Sequence, residues 1–204
     1  MPLSERSEVF AGRVWSVVRD QVRIGECDSV RDVVIHPGAV AVIAVDDDDR
    51  ILLIRQYRHP VAMYLFEPPA GLLDVAGEPP LETAQRELAE ETGVQADTWH
   101  TLVDLFNSPG GSSEAIRVYL ASDLTALPGG RPNTGEAEEA HLPQAWVALD
   151  DAVDLVLTGA IGSPSGVAGI LALDAIRRRS GRGLRSAQAP WEPRDWLVSQ
   201  QRVR

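Results

Sequence analysis

Between Gly77 and Gly93 the chain reads "GEPPLETAQRELAEETG", a stretch that crowds glutamates around a single arginine. Pro79 and Pro80 fit the first turn of a helix and Gly93 fits the residue just past its end, so the spacing predicts a helix from Pro80 to Thr92. On that helix Glu87, Glu90 and Glu91 stand at i, i+3 and i+4, which puts the three carboxylates on one face with β-carbons about 5–6 Å apart. Leu81, Ala84 and Leu88 mark the opposing apolar side. A solvated acidic face is the ordinary reading of such a stripe. Against it, the acids lie near the helix C-terminus, where the macrodipole disfavours each by about 0.3–1 kcal/mol, and like charges at i, i+4 add a few tenths more. A divalent cation with a preference for hard oxygen ligands, Mg²⁺ or Mn²⁺, reverses that sum. The stripe therefore reads as a metal platform on a solvent-facing or cleft-facing edge.

The elements that position this helix are mostly strands. "RVWSVVRDQVRI" (13 to 24) and "VRDVVIH" (30 to 36) alternate partially around the turn-like "GECDS" and predict two hairpin strands. "GAVAVIAVD" (38 to 46) and "ILLIRQYR" (51 to 58) are nearly continuous apolar runs joined by "DDDDR", as expected of core strands with a solvated turn. "TLVDLFNS" (101 to 108) and "SEAIRVYLAS" (113 to 122) form a further pair, and "QAWVALDDAVDLVLTGA" (144 to 160) reads as a strand running into a helix near Asp150. "SGVAGILALDAIRRR" (165 to 179) has the pattern of a buried helix with a cationic last turn. Beyond it, residues 183 to 204 are Gly/Pro/Arg-rich and aperiodic, and are expected to be mobile or docked through Trp191 and Trp196. This organisation divides into residues 1–38, 39–182 and 183–204.

Composition bounds the chemistry. The chain has 204 residues, 44% of them apolar and 24% charged, enough for one full core. A net charge of −11 and a pI near 4.8 argue against a nucleic-acid or anionic-membrane surface, so an anionic substrate would need local cations. Cys27 is the single cysteine, which excludes an intrachain disulfide and suits a reducing compartment. The N-terminus lacks a signal pattern and no apolar run nears the roughly 20 residues a bilayer requires. A cytoplasmic protein is expected.

The residues Glu78, Arg86, Glu87, Leu88, Glu90, Glu91, Gly93 and Val94 resemble, in register, the signature of the Nudix hydrolases. One departure is visible: six residues separate Gly71 from Glu78, one more than in the signature. The resemblance implies an α/β fold, an α/β/α sandwich around a mixed sheet, here with an N-terminal antiparallel strand subdomain. It implies that Glu87 and Glu91 ligate divalent ions, that Glu90 is the third acidic position, that Arg86 orients the carboxylates, and that Glu78 tethers the loop or contacts metal through water. Oxygen ligands hold the ions, and the ions polarise a pyrophosphate and activate water.

Other segments are similar to the ADP-ribose pyrophosphatase subgroup of that family. "EPPAG" (67 to 71) implies a metal-shell role for the Ala70 carbonyl and a substrate contact at Gly71. Pro109 in "NSPGG" falls near the subgroup's marker proline, although the tetrapeptide alone is a tight turn. "RQYRHP" (55 to 60) matches the subgroup's strand end, where Arg55 and Arg58 could clamp phosphate or simply pair with surface acids. The catalytic base is expected from the loop "TGEAEEAHLPQAW", with Glu139 preferred, Glu138 and Glu136 behind it, and Glu114 as a second candidate. Trp15 could stack an adenine, although a strand tryptophan more often belongs to the core. The subgroup further implies a homodimer that exchanges N-terminal strands and the substrate ADP-ribose. Another nucleoside diphosphate sugar, a dinucleotide, or a non-catalytic nucleotide-sensing domain are the alternatives.

Overall fold

The computed structural model describes residues 3–132 and 142–202, and of residues 200–202 the backbone alone. In chain order the first elements are strands β1 (Leu3–Ala11), β2 (Ser16–Ile24), β3 (Cys27–Ile35), β4 (Ala39–Ala44), β5 (Arg50–Arg58), β6 (Met63–Glu67) and β7 (Ala70–Leu72). Helix α1 (Pro80–Thr92), β8 (Val94–Phe106), β9 (Ala115–Ala126) and β10 (Gln144–Ala148) follow, then α2 (Leu149–Leu157), α3 (Pro164–Arg178), β11 (Arg185–Ser186) and α4 (Glu192–Arg202). The chain separates into two compact units.

The larger unit, Val40–Asp104 with Arg117–Pro190, holds the carboxylate helix. Its centre is a mixed sheet in the order β11-β8-β9-β4-β7, accompanied by an antiparallel sheet β10-β5-β6. Val40, Val42 and Ala44 of β4 cluster with Tyr119 and Ala121 of β9 against Ala84 and Leu88 of α1. The alternate residues face the other way: a Cβ added to Gly169 of α3 would lie 2.7 Å from Ile43 and 3.1 Å from Val118. Helices thus cover both faces of β4 and β9, the sandwich that the resemblance implies. Double coverage is why β4 is apolar throughout instead of alternating.

The smaller unit gathers Met1–Ala39, Leu105–Ile116 and Trp191–Arg204. Its antiparallel meander β1-β2-β3 is laced by cross-strand pairs, Arg6 with Asp20, Arg19 with Asp32 and Arg23 with Asp28, each at 2.7–2.8 Å and each in register. Ser108 to Ser112 form a turn closed by Gly111 and Ser112 N–H groups on the Ser108 carbonyl, and Val34 bridges to Ser112.

Three expectations need correction. Strand β1 lies in the polar "LSERSEVFA", whose pattern gave no apolar alternation, so only two N-terminal strands were legible where three exist. Trp15 is not a core strand residue: it precedes β2, is 43% exposed and meets Phe10 at a ring separation of 5.9 Å. The terminal segment contains a helix, α4, and its two tryptophans differ, Trp191 being buried and Trp196 65% exposed.

Candidate functional site

Helix α1 begins and ends where its punctuation dictates. Pro79 occupies the cap, Pro80 the first turn, and Gly93 closes it in the left-handed region with its N–H on the Ala89 carbonyl. No basic residue occupies the last turn. The Gln144 side-chain amide instead donates to the Thr92 carbonyl at 2.9 Å. Thr92 Oγ1 donates to the Leu88 carbonyl.

The acidic stripe faces inward. Glu87 and Glu91 are buried, 8% and 4% exposed, on the same helix as the core residues Ala84 and Leu88. A buried carboxylate requires partners, and the structure supplies them from two directions. Arg86 donates through Nη1 to Glu87 Oε1 at 2.8 Å and to Glu90 Oε2 at 2.9 Å. Its Nε and Nη2 bind Glu78 Oε1 and Oε2 at 3.0 and 3.1 Å. Thr83 Oγ1 adds a 2.8 Å bond to Glu78. The Arg86 guanidinium, helped by the Thr83 hydroxyl, holds the Glu78 carboxyl below its ordinary range despite the opposing effect of burial. Arg86 is itself pushed further into its cationic form, chiefly by Glu78.

The second direction is the backbone of the segment after β6. The Ala70 N–H donates to Glu91 Oε2 at 2.9 Å. At Gly71 an added Cβ would fall 2.1 Å from Glu87 Cδ and Oε1, so only a residue without a side chain lets that carboxylate lie against the strand. The longer box loop is taken up in a turn in which the Glu78 N–H donates to the Val75 carbonyl at 3.2 Å. Among the described residues no three carboxylates, imidazoles or thiols converge as a cation cage. Glu87 and Glu90 are drawn to Arg86, and Glu91 to Ala70. The donor set nevertheless fits a hard cation: two buried carboxylates, Glu87 and Glu91, beside the Ala70 backbone, where the Gly71 cradle leaves room for the Glu87 carboxylate.

The other expected residues are distributed unevenly. Arg58, in the same unit, donates through Nε to Glu67 Oε2 at 2.7 Å. Arg55 is exposed and stacks 4.6 Å over the Tyr64 ring. Glu114, Pro109 and Trp15 belong to the smaller unit. There Glu114 accepts from Asn107 Nδ2 at 2.7 Å and lies 4.0 Å from His36 Nε2, and Pro109 sits in the Ser108 turn. Glu136, Glu138 and Glu139 lie outside the described residues. Sequence reasoning passed over Glu67, Thr83 and Gln144. Glu67 alone carried a signal: it is an acid inside the apolar run "MYLFEPPAG", where an unpartnered charge has no place.

The arrangement is that of a family. The NUDIX domain matches residues 35–165, and this chain belongs to it. It is 48% identical to an ADP-ribose pyrophosphatase of Mycobacterium tuberculosis over 169 residues, 82% of this chain and 80% of that protein. It is 38% identical to an ADP-ribose pyrophosphatase of Bacillus subtilis over 154 residues, 74% of this chain and 80% of that one. A crystal structure of an ADP compounds hydrolase superposes with a TM-score of 0.76 at 25% identity, covering 89% of this chain and 96% of the other.

Proposed function

We propose that this Nudix protein is a pyrophosphohydrolase that uses a divalent cation, Mg²⁺ or Mn²⁺, to cleave ADP-ribose into AMP and ribose 5-phosphate. The single observation that carries the reading is the closure of the Ala70–Gly71 backbone onto the buried Glu87 and Glu91 carboxylates. It joins the acidic helix to the segment that resembles the ADP-ribose subgroup, and relatives of 48% and 38% identity bear that name.

In this reading Glu87, Glu91 and the Ala70 carbonyl hold the ion, with Glu90 and Glu78 as the remaining acidic positions. When bound, the ion withdraws charge from a diphosphate oxygen and acidifies a water. Arg86 spaces the carboxylates of Glu78, Glu87 and Glu90 through its hydrogen bonds. Arg58, and more peripherally Arg55, supply local cations that an acidic chain otherwise lacks for an anionic substrate. Glu139 takes the proton from the attacking water, with Glu114 the second candidate. The water oxygen bonds to one phosphorus, the bridging P–O bond breaks, and the bridging oxygen leaves with the other phosphate. Gly71 contacts the substrate in this reading, and the substrate roles of Pro109 and Trp15 rest on the resemblance alone. The assembly is a homodimer built through the N-terminal strands. The single exposed cysteine suits a cytoplasmic setting.

³¹P NMR of ADP-ribose with the protein and Mg²⁺ in H₂¹⁸O tests this. AMP and ribose 5-phosphate should appear, the isotope shift naming the phosphorus attacked, and Glu91→Gln should lower kcat by about 10³-fold or more. ADP-ribose left intact with both Mg²⁺ and Mn²⁺ would transfer the reading to another nucleoside diphosphate, or to nucleotide sensing if none is cleaved.

A further inference from the structure

On the β5–β6 ribbon a buried carboxylate, Glu67, has no task in the proposed reaction. Glu67 ends β6, is 6% exposed, and has a single ion-pair partner among the described residues, Arg58 at 2.7 Å. The two are not cross-strand neighbours. In the β5–β6 register Glu67 stands opposite Ile54 and Arg58 opposite Met63, so the Arg58 side chain runs back along the ribbon to reach the carboxylate. Holding two long side chains in one extended geometry is a poor route to stability, because ordering entropy cancels most of the gain of an ion pair. An apolar residue beside the buried Ile54 would serve the fold better.

The geometry of the pair indicates another role. Only the Nε edge of Arg58 is engaged by Glu67, and the Arg58 side chain remains 42% exposed. The Nη groups have no bond to any described residue. Glu67 is joined by Pro68 and Pro69, whose φ angles are fixed, to Ala70 and Gly71, the residues that hold Glu91 and Glu87. The Val42 N–H on the Pro69 carbonyl at 2.8 Å pins the segment to the sheet. One short rigid stretch therefore fixes both the carboxylate pair and the anchor of a guanidinium.

We propose that Glu67 is a positioning residue, holding Arg58 by its Nε edge so that its Nη fork binds an oxygen of the substrate diphosphate. This rests on the diphosphate reading above. Glu67 does not touch the substrate, and it acts entirely through Arg58.

A double-mutant cycle of Glu67→Gln and Arg58→Ala tests it, read as KM and kcat with ADP-ribose and as calorimetric Kd for the non-hydrolysable α,β-methylene analogue. Arg58→Ala should weaken binding about 10–100-fold, the loss of a charged hydrogen bond. Glu67→Gln should weaken it about tenfold with kcat changed less, and should have no further effect in the Arg58→Ala background. Arg58→Lys, which lacks the fork, should not restore affinity. Additive effects in the cycle, or unchanged affinity in Glu67→Gln, would show a purely structural pair. If Glu67→Gln does not fold, Glu67→Asp, with its carboxylate one methylene shorter, is measured instead, and unchanged affinity there overturns the proposal. Wild-type protein that binds the analogue without hydrolysing ADP-ribose refutes the substrate assignment and leaves the cycle readable. Wild-type protein that does not bind the analogue overturns both.

Discussion

Two arginine clusters of the larger unit have opposite charge balance. At Arg86 one guanidinium serves three carboxylates, Glu78, Glu87 and Glu90, while Glu91 lies beside them on a backbone N–H. At Arg117 two guanidiniums, Arg117 and Arg185, serve the single carboxylate of Asp104, and the surplus donors of Arg117 end on the carbonyls of Ala189 and Pro190. The second cluster is closed: its excess of donors is absorbed by chain carbonyls, and it fastens the stretch after β11. Burial raises the neighbouring Tyr119 hydroxyl, with Arg117 opposing. The first cluster differs, and is open, in that its excess is of negative charge, which a bound cation would offset. Charge balance, more than burial, separates a site from a strut.

If that distinction holds, steric change at the open cluster should cost turnover and leave the fold. Gly71→Ala places a methyl group where the Glu87 carboxylate lies, and the flexible end of that side chain rotates away. Displacing a reacting group by about 1 Å is worth roughly 10² in rate. We expect kcat to fall by at least about 10²-fold and Mn²⁺ affinity, followed by electron paramagnetic resonance, to weaken in parallel, while Tm changes little. A large fall in Tm with intact activity per folded molecule would mean that the Gly71 contact is ordinary packing.

How much of this was legible depended on the kind of signal. Helix α1 was readable to the residue because proline and glycine punctuate it and its acids share a period. The apolar runs of β4 and β5 declared buried strands. The inward turn of Glu87 and Glu91 was not legible: spacing puts them on one face without saying what lies opposite, and the partners, Ala70 N–H and the missing side chain of Gly71, come from another segment. β1 was invisible because its strand is held by backbone pairing and the cross-strand Arg6–Asp20 pair instead of an apolar face, and α4 because Gly, Pro and Arg precede it. Nor could sequence reveal that Arg58 binds Glu67, since that contact depends on strand register.

The closed cluster should show the opposite response. Arg117→Ala removes a guanidinium that is 3% exposed and takes its donors from two carbonyls and from Asp104, which keeps Arg185 alone. About 2 kcal/mol of stability should be lost, a Tm decrease of roughly 4–8 °C for a chain of this size. The KM of the folded enzyme should be unchanged. A shift in KM or metal dependence without loss of Tm would erase the contrast between the clusters.

The smallest effect is a pH dependence that belongs to the open cluster. The folded Glu78 carboxyl is held below its ordinary range by Arg86, so folding is favoured when Glu78 is ionised. Its contribution is complete above the unfolded pKa and is lost as pH falls through the folded value. Glu78→Gln should therefore be less stable than the wild type at neutral pH by about 1 kcal/mol, or roughly 2–4 °C in Tm. The two melting curves should converge as the solution is acidified, because the protonated wild-type side chain also lacks the charge. Metal chelated throughout keeps cation binding out of the measurement. Arg86 stays cationic across this range, so any convergence comes from the carboxylates. A gap that persists at low pH would mean that Glu78 acts through the shape of its hydrogen bonds to Thr83 and Arg86 and not through its charge, and the surplus of negative charge at this cluster would then be one smaller.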